Sequence, residues 1–93
     1  MLEREIEAGL VRGVKRKGGL CLKWVCPGTR GAPDRIVVLP GGRIWFVELK
    51  TPRGSCRSWQ LRFHRRLEKV GGAGLTVAVL RSEDDVEDFL GHM

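Results

Sequence analysis

A small mixed β-sheet flanked by helices, in the order α-β-β-β-α-β-α, is the α/β fold that this sequence predicts. Two segments carry apolar residues at helical spacing, around Leu2-Ile6-Leu10-Val14 and around Gln60-Phe63-Leu67-Val70. Four short apolar runs lie among them, each bounded by glycine, proline or charge. The connections between these runs differ in length, which implies a sheet with both antiparallel and parallel neighbours, covered by helices.

Residues 2–17 read as the first helix, with Glu3, Arg4, Glu7, Arg12 and Lys15 around the apolar stripe and Gly18-Gly19 ending it. Leu20 to Val25 is a strand stopped by Pro27-Gly28. A loop over 28–33 leads into a hairpin of strands 35–39 and 44–50, turned at Pro40-Gly41-Gly42-Arg43. After the break Thr51-Pro52-Arg53-Gly54, Ser55 is placed to cap a helix over 56–70, and Gly71-Gly72 ends it. Leu75 to Leu80 reads as a buried strand, joined in parallel through a right-handed crossover. Ser82 then caps a short acidic helix through Leu90.

At 93 residues this is one domain, 1–93, with room for one modest core. Seventeen Lys and Arg against 11 Asp and Glu leave a net charge of +6, which points to a polyanionic partner such as nucleic acid. No apolar run approaches the ~20 residues of a membrane span, and acids follow Met1 where a signal peptide carries none. The expectation is a cytoplasmic protein. Cys21, Cys26 and Cys56 have no CxxC spacing, and His64 and His92 lie far from them. A zinc site of familiar spacing is therefore missing, and the thiols read as small buried apolar groups. His64 reads as a helix-surface or packing residue.

The chemistry concentrates in Pro33-Asp34 and Glu48-Leu49-Lys50. Glu48 and Lys50, two apart on a strand, share one face, and the hairpin can bring Asp34 beside them. Two carboxylates and an ammonium at one strand end suit a hard divalent cation held next to a phosphate. Asp34, Glu48 and the backbone carbonyl of Leu49 can supply oxygen ligands, and Lys50 can orient the attacking water or neutralise phosphoryl oxygens. The turn decides whether they meet. A plain two-residue turn at Gly41-Gly42 would pair Arg35 with Glu48 and aim Asp34 away. The site needs an odd-length loop, a bulge, or Asp34 ahead of the ladder, and the glycines suit a three-residue loop. Gln60, a polar residue on a buried helical stripe, can reach Lys50, a water or a phosphate, or else bond to backbone.

Gly28-Thr29-Arg30-Gly31-Ala32-Pro33-Asp34-Arg35-Ile36, the strand Phe46-Val47-Glu48-Leu49-Lys50, and Gln60 before a basic helix together resemble the PD-(D/E)XK nuclease superfamily. More narrowly they resemble its stand-alone VRR-NUC (virus-type replication-repair nuclease) branch. The resemblance runs from the first helix to the last strand. It implies a restriction-endonuclease-like core and a metal-dependent DNA nuclease, with Asp34 and Glu48 on Mg²⁺ or Mn²⁺, Lys50 assisting the water and Gln60 near the active site. It also implies a metal-binding glutamate on the first helix. Glu3, Glu5 and Glu7 compete for that role; Glu3 fits the pattern best and Glu7 is the reserve.

Arg30, Arg53 and Arg57 are the expected DNA contacts. Trp24 and Trp45 read as packing residues, while Trp59, beside arginines at a helix start, can serve in packing or in base stacking. So small a chain has no separate recognition domain, which suggests a structure-selective endonuclease acting on four-way junctions or flaps. Paired cuts in a junction call for a homodimer, with strand 20–25 and the first helix as candidate surfaces. The resemblance further implies DNA processing in replication, repair or recombination, in a bacterial or phage-infected cell, and leaves a helicase partner open. The alternative is a non-catalytic nucleic-acid-binding module on the same fold.

Overall fold

The computed structural model describes residues 2–91; His92 lies outside them. Helix α1 (Glu3–Arg16) buries Ile6, Leu10 and Val14 on one side, and its acids Glu3 and Glu5 and bases Lys15 and Arg16 follow the helix dipole. Strands β1 (Leu20–Lys23), β2 (Arg35–Leu39) and β3 (Arg43–Leu49) form an antiparallel meander. Helix α2 (Ser58–Gly71) and a 3₁₀ turn (Gly72–Gly74) lead to β4 (Val77–Leu80), which joins β3 in parallel, and helix α3 (Glu83–Gly91) follows. The sheet order is β1-β2-β3-β4. No described helix is long and apolar enough to cross a membrane.

Strand alternation sorts the sheet into two faces. Val37, Leu39, Val47, Leu49 and Leu80 point to the layer formed by α1 and α3, where they join Ile6, Leu10, Val14, Val86 and Leu90 in one aliphatic core. Ile36, Phe46 and Glu48 point to the side of α2. Trp24 packs there against Phe46 (5.1 Å) and Phe63 (6.1 Å), while on the opposite face Trp45 packs edge-on against Phe89.

The hairpin loop has the odd length the site requires. Leu39 pairs with Arg43 and Arg35 with Val47, so Pro40, Gly41 and Gly42 form a three-residue loop. Gly41 (φ 91°) and Gly42 (φ 79°) supply its left-handed backbone. The next pair beyond the ladder is Asp34 with Glu48.

Several boundaries differ from the sequence reading. β1 ends at Lys23, although Trp24 N–H still reaches the Asp34 carbonyl (3.0 Å). Helix α2 starts at Ser58, not 56, and Ser55 does not cap it: Gln60 Oε1 accepts from the Arg57 N–H (2.8 Å) and starts the helix there. The preceding residues form a turn closed by Gly54 N–H to Thr51 O and tied to Arg81 Nε through the Gly54 carbonyl. The fourth strand begins at Val77 because the 3₁₀ turn occupies residues 72–74, and only Leu80 in it is buried. Val70, expected on the buried stripe of α2, is 90% exposed, and His64 takes that place at 5%. The stripe centres on Gln60, His64 and Leu67, and Val70 falls at its fringe in the last turn. The three free cysteines are half-buried rather than buried. Ser82 caps α3 as expected, its hydroxyl accepting from the Asp85 N–H (3.0 Å).

Candidate active site

The end of β3 carries the acidic and basic side chains into one place. Glu48 is 3% exposed, a buried carboxylate on the α2 side of the sheet. Its Oε2 accepts from Gln60 Nε2 (3.0 Å) and lies 3.4 Å from Lys50 Nζ. Lys50 Nζ in turn donates to Gln60 Oε1 (3.0 Å). One amide thus bridges the carboxylate and the ammonium and fixes their spacing, while its oxygen also anchors the start of α2. Gln60 was legible as a polar residue on a buried stripe, and this closed triad is what it does there.

Glu48 Oε1 is buried with no hydrogen-bond partner. Burial, and then the neighbouring Asp34 charge, push the Glu48 carboxyl up to about 7; Lys50 opposes this without cancelling it. An under-satisfied carboxylate beside another carboxylate lacks positive charge on one side. Carboxylate and carbonyl oxygens are ligands of the kind a hard divalent ion takes. Asp34 Oδ2 accepts from the Leu49 N–H (2.8 Å), which fixes the first carboxylate at the strand end. Among the described residues, no three of the His, Cys, Asp and Glu side chains gather closely enough to hold a metal by themselves.

The N-terminal glutamates separate clearly. Glu7 is engaged elsewhere, accepting from Arg35 Nε (2.7 Å) in an ion pair on the α1 side. Glu5 accepts from the Leu2 N–H at the start of α1. Glu3 is exposed, and its charge contributes to raising the Glu48 pKa.

The loop before Asp34 is seated on α2. Gly31 (φ 94°) leaves no room for a side chain, since a Cβ there would lie 2.6 Å from the Trp59 carbonyl and 3.0 Å from Gln60 Cα. This contact lays the Arg30 guanidinium 3.6 Å above the Trp59 ring, with Arg57 at 5.8 Å. Arg53 and Arg57 are exposed near Lys50 in sequence. The stacking of Arg30 on Trp59 links residues 29 apart and left no local signal. Of the two roles expected for His64, helix surface or packing, the structure has the second, with His64 5% exposed. Its Nε2 is buried without a partner, and desolvation lowers its pKa. Cys56 also adjoins the site, its thiol pushed up by burial and then by the Glu48 charge.

Comparisons with known proteins bear on the fold and the family. Over 82 residues the chain is 48% identical to a protein of Acyrthosiphon pisum secondary endosymbiont phage 1 named "Putative nuclease p44", covering 88% of this chain and 85% of that one. A solved structure described as "VRR_NUC domain" shares the fold with a TM-score of 0.86 and 35% identity, over 97% of this chain and 95% of its own. No family model matches.

Proposed function

The chain belongs to the VRR-NUC family of nucleases, and from that premise we propose that residues 1–93 form one Mg²⁺- or Mn²⁺-dependent DNA endonuclease domain. The buried Glu48, unsatisfied on one oxygen, facing Asp34 and tied through Gln60 to Lys50, carries this reading. Asp34, Glu48 and the Leu49 carbonyl would hold the metal, with Glu3 as the glutamate from α1 because Glu7 is already paired with Arg35.

When bound, the metal supplies Lewis-acid activation of water and neutralises charge at the scissile phosphate. The protein's own groups do the rest. Lys50 presents its ammonium to the attacking water and the phosphoryl oxygens, where negative charge develops. Gln60 keeps Lys50 from collapsing fully onto Glu48 and holds both in place. Water attacks phosphorus, the bond to the leaving oxygen of the DNA backbone breaks, the water's proton passes to solvent and the leaving oxygen takes one from solvent; no covalent intermediate forms. Arg30, Arg53 and Arg57 bind flanking phosphates.

The substrate we favour is branched DNA, a four-way junction or flap, cut by a homodimer during replication, repair or recombination in the cytoplasm of a phage-bearing bacterium; a helicase is a candidate partner. Leu20, Leu22 and Val25, on or next to the unpaired edge strand, are 59%, 47% and 73% exposed and support that edge as the dimer surface. A non-catalytic DNA-binding module is the alternative. Its one supporting observation is that no three metal-binding side chains gather among the described residues.

Cleavage of labelled four-way junction, flap and linear duplex, with Mg²⁺, Mn²⁺ or EDTA, tests the proposal. Metal-dependent cutting should fall by ~10²–10³-fold in Lys50→Ala. Binding without cutting on every substrate would establish the alternative.

A further inference from the structure

Helix α2 carries a feature that the cleavage chemistry leaves unused. Arg62, Arg65, Arg66 and Lys69 are all exposed, and none has an ion-pair partner among the described residues. Around a helix turning about 100° per residue, Lys69 points roughly 180° away from Gln60, Arg62 roughly 160°, Arg65 roughly 140° and Arg66 roughly 120°. Gln60 faces Glu48 and Lys50. The stripe therefore faces away from them.

The electrostatics of α2 run against its own stability. Residues 62 and 66, and 65 and 69, are like charges four apart, and 62 with 65 and 66 with 69 are like charges three apart; such pairs repel. No acid stands in the first turn, where the helix dipole favours one, and the N-cap residue is the basic Arg57. Glu68 is the helix's one acid, and it accepts from the Val77 N–H on the β4 side (3.4 Å). In α1 the charges follow the dipole. A solvated face that served only solubility would intersperse both signs.

We propose that Arg62, Arg65, Arg66 and Lys69 form a second phosphate-binding track, which holds a duplex arm other than the one being cut; the inference rests on the nuclease reading above. From Arg62 to Lys69 the helix rises about 10 Å, close to three steps of about 3.4 Å along one DNA strand. The track lies on the side of α2 opposite Gln60, which faces Glu48 and Lys50, so a straight duplex seated there would run along the other side of the helix. A second arm diverging from a branch point would reach the track. The track would thus make the enzyme prefer branched over linear DNA without reading sequence.

The test compares R62Q/R65Q/R66Q/K69Q with wild type and with R12Q/R16Q, whose charges lie between α1 and α3 on the opposite face. Glutamine keeps helix propensity, and circular dichroism verifies the fold. Affinity for a four-way junction and for a linear duplex of the same scissile sequence is measured in EDTA across a salt series, and cleavage of both in Mg²⁺. The expected result is a loss of junction affinity of at least ~10-fold and a fall in the salt slope of about 2–4. The loss on linear duplex should be at least about fivefold smaller, and R12Q/R16Q should match wild type. Equal losses on both substrates, or none on the junction, would overturn the track. Wild type that binds but cuts neither substrate in Mg²⁺ or, in a parallel assay, in Mn²⁺ would instead sink the nuclease reading, while the affinity comparison still decides the track.

Discussion

The two faces of the sheet are built to different standards. Toward α1 and α3 the sheet presents Val37, Leu39, Val47, Leu49 and Leu80, and nothing but aliphatic side chains answers them in the buried core. Toward α2 it presents aromatic packing beside the buried Glu48, and α2 answers with the buried His64; each of the two has an unpartnered atom. Ile44, at the turn end of that same face, is 51% exposed. One face holds the chain together, and the other carries polar groups whose burial weakens the fold. The aliphatic core and the proposed active site lie on opposite faces of a single sheet, so variants on the two faces should respond oppositely.

The largest effect belongs to the dry face. Leu10→Ala leaves a cavity in the aliphatic core and should cost about 3 kcal/mol, lowering Tm by roughly 15 °C. Val70→Ala, on the exposed fringe of α2, should move Tm by less than about 2 °C. Thermal unfolding of both variants checks the contrast, and equal shifts would break it.

Glu48→Gln should do the reverse of a core mutation. Its carboxyl titrates near 7 in the folded protein against an ordinary value of 4.5. Folding therefore favours the protonated form, and the penalty for ionising Glu48 grows as pH rises from 4.5 to about 7 and is complete above that. In metal-free buffer at pH 8 the variant should melt several degrees higher than wild type, the gain should vanish toward pH 4.5, and cleavage should be lost. A lower Tm at pH 8 would contradict the assignment of strain to this residue.

His64 supplies the smallest effect, with the opposite pH sign. Desolvation lowers its pKa below 6.5, so the folded state favours neutral imidazole, and stability is lost as pH falls from 6.5 through the folded value. His64→Leu should flatten the acid limb of the Tm–pH curve while leaving pH 8 nearly unchanged. An unaltered acid limb would show that His64 is not buried as described.

Part of the site was legible in the residues. Glu48 and Lys50, two apart on a strand, read onto one face, and the need for Asp34 to meet Glu48 asked for an odd-length loop, a bulge, or Asp34 ahead of the ladder; the hairpin has a three-residue loop. Gln60 stood out because a polar residue on an apolar stripe must find partners. What escaped was set by contacts distant in sequence. The start of α2 depends on a side chain reaching back from Gln60 to Arg57, which outcompeted the nominal cap at Ser55. Periodicity placed Val70 and not His64 inside, because it cannot tell where a helix runs past the layer it covers. The seat of Arg30 on Trp59 follows from the close approach of Gly31 to α2, a contact with no local signature.

Mn²⁺ binding, followed by electron paramagnetic resonance of the free ion, addresses the strained face most directly. Wild type should take up Mn²⁺ saturably at pH 8, with Asp34→Asn and Glu48→Gln each losing that binding while remaining folded. Equal uptake by wild type and both variants, or none by wild type, would contradict a metal site at Asp34 and Glu48.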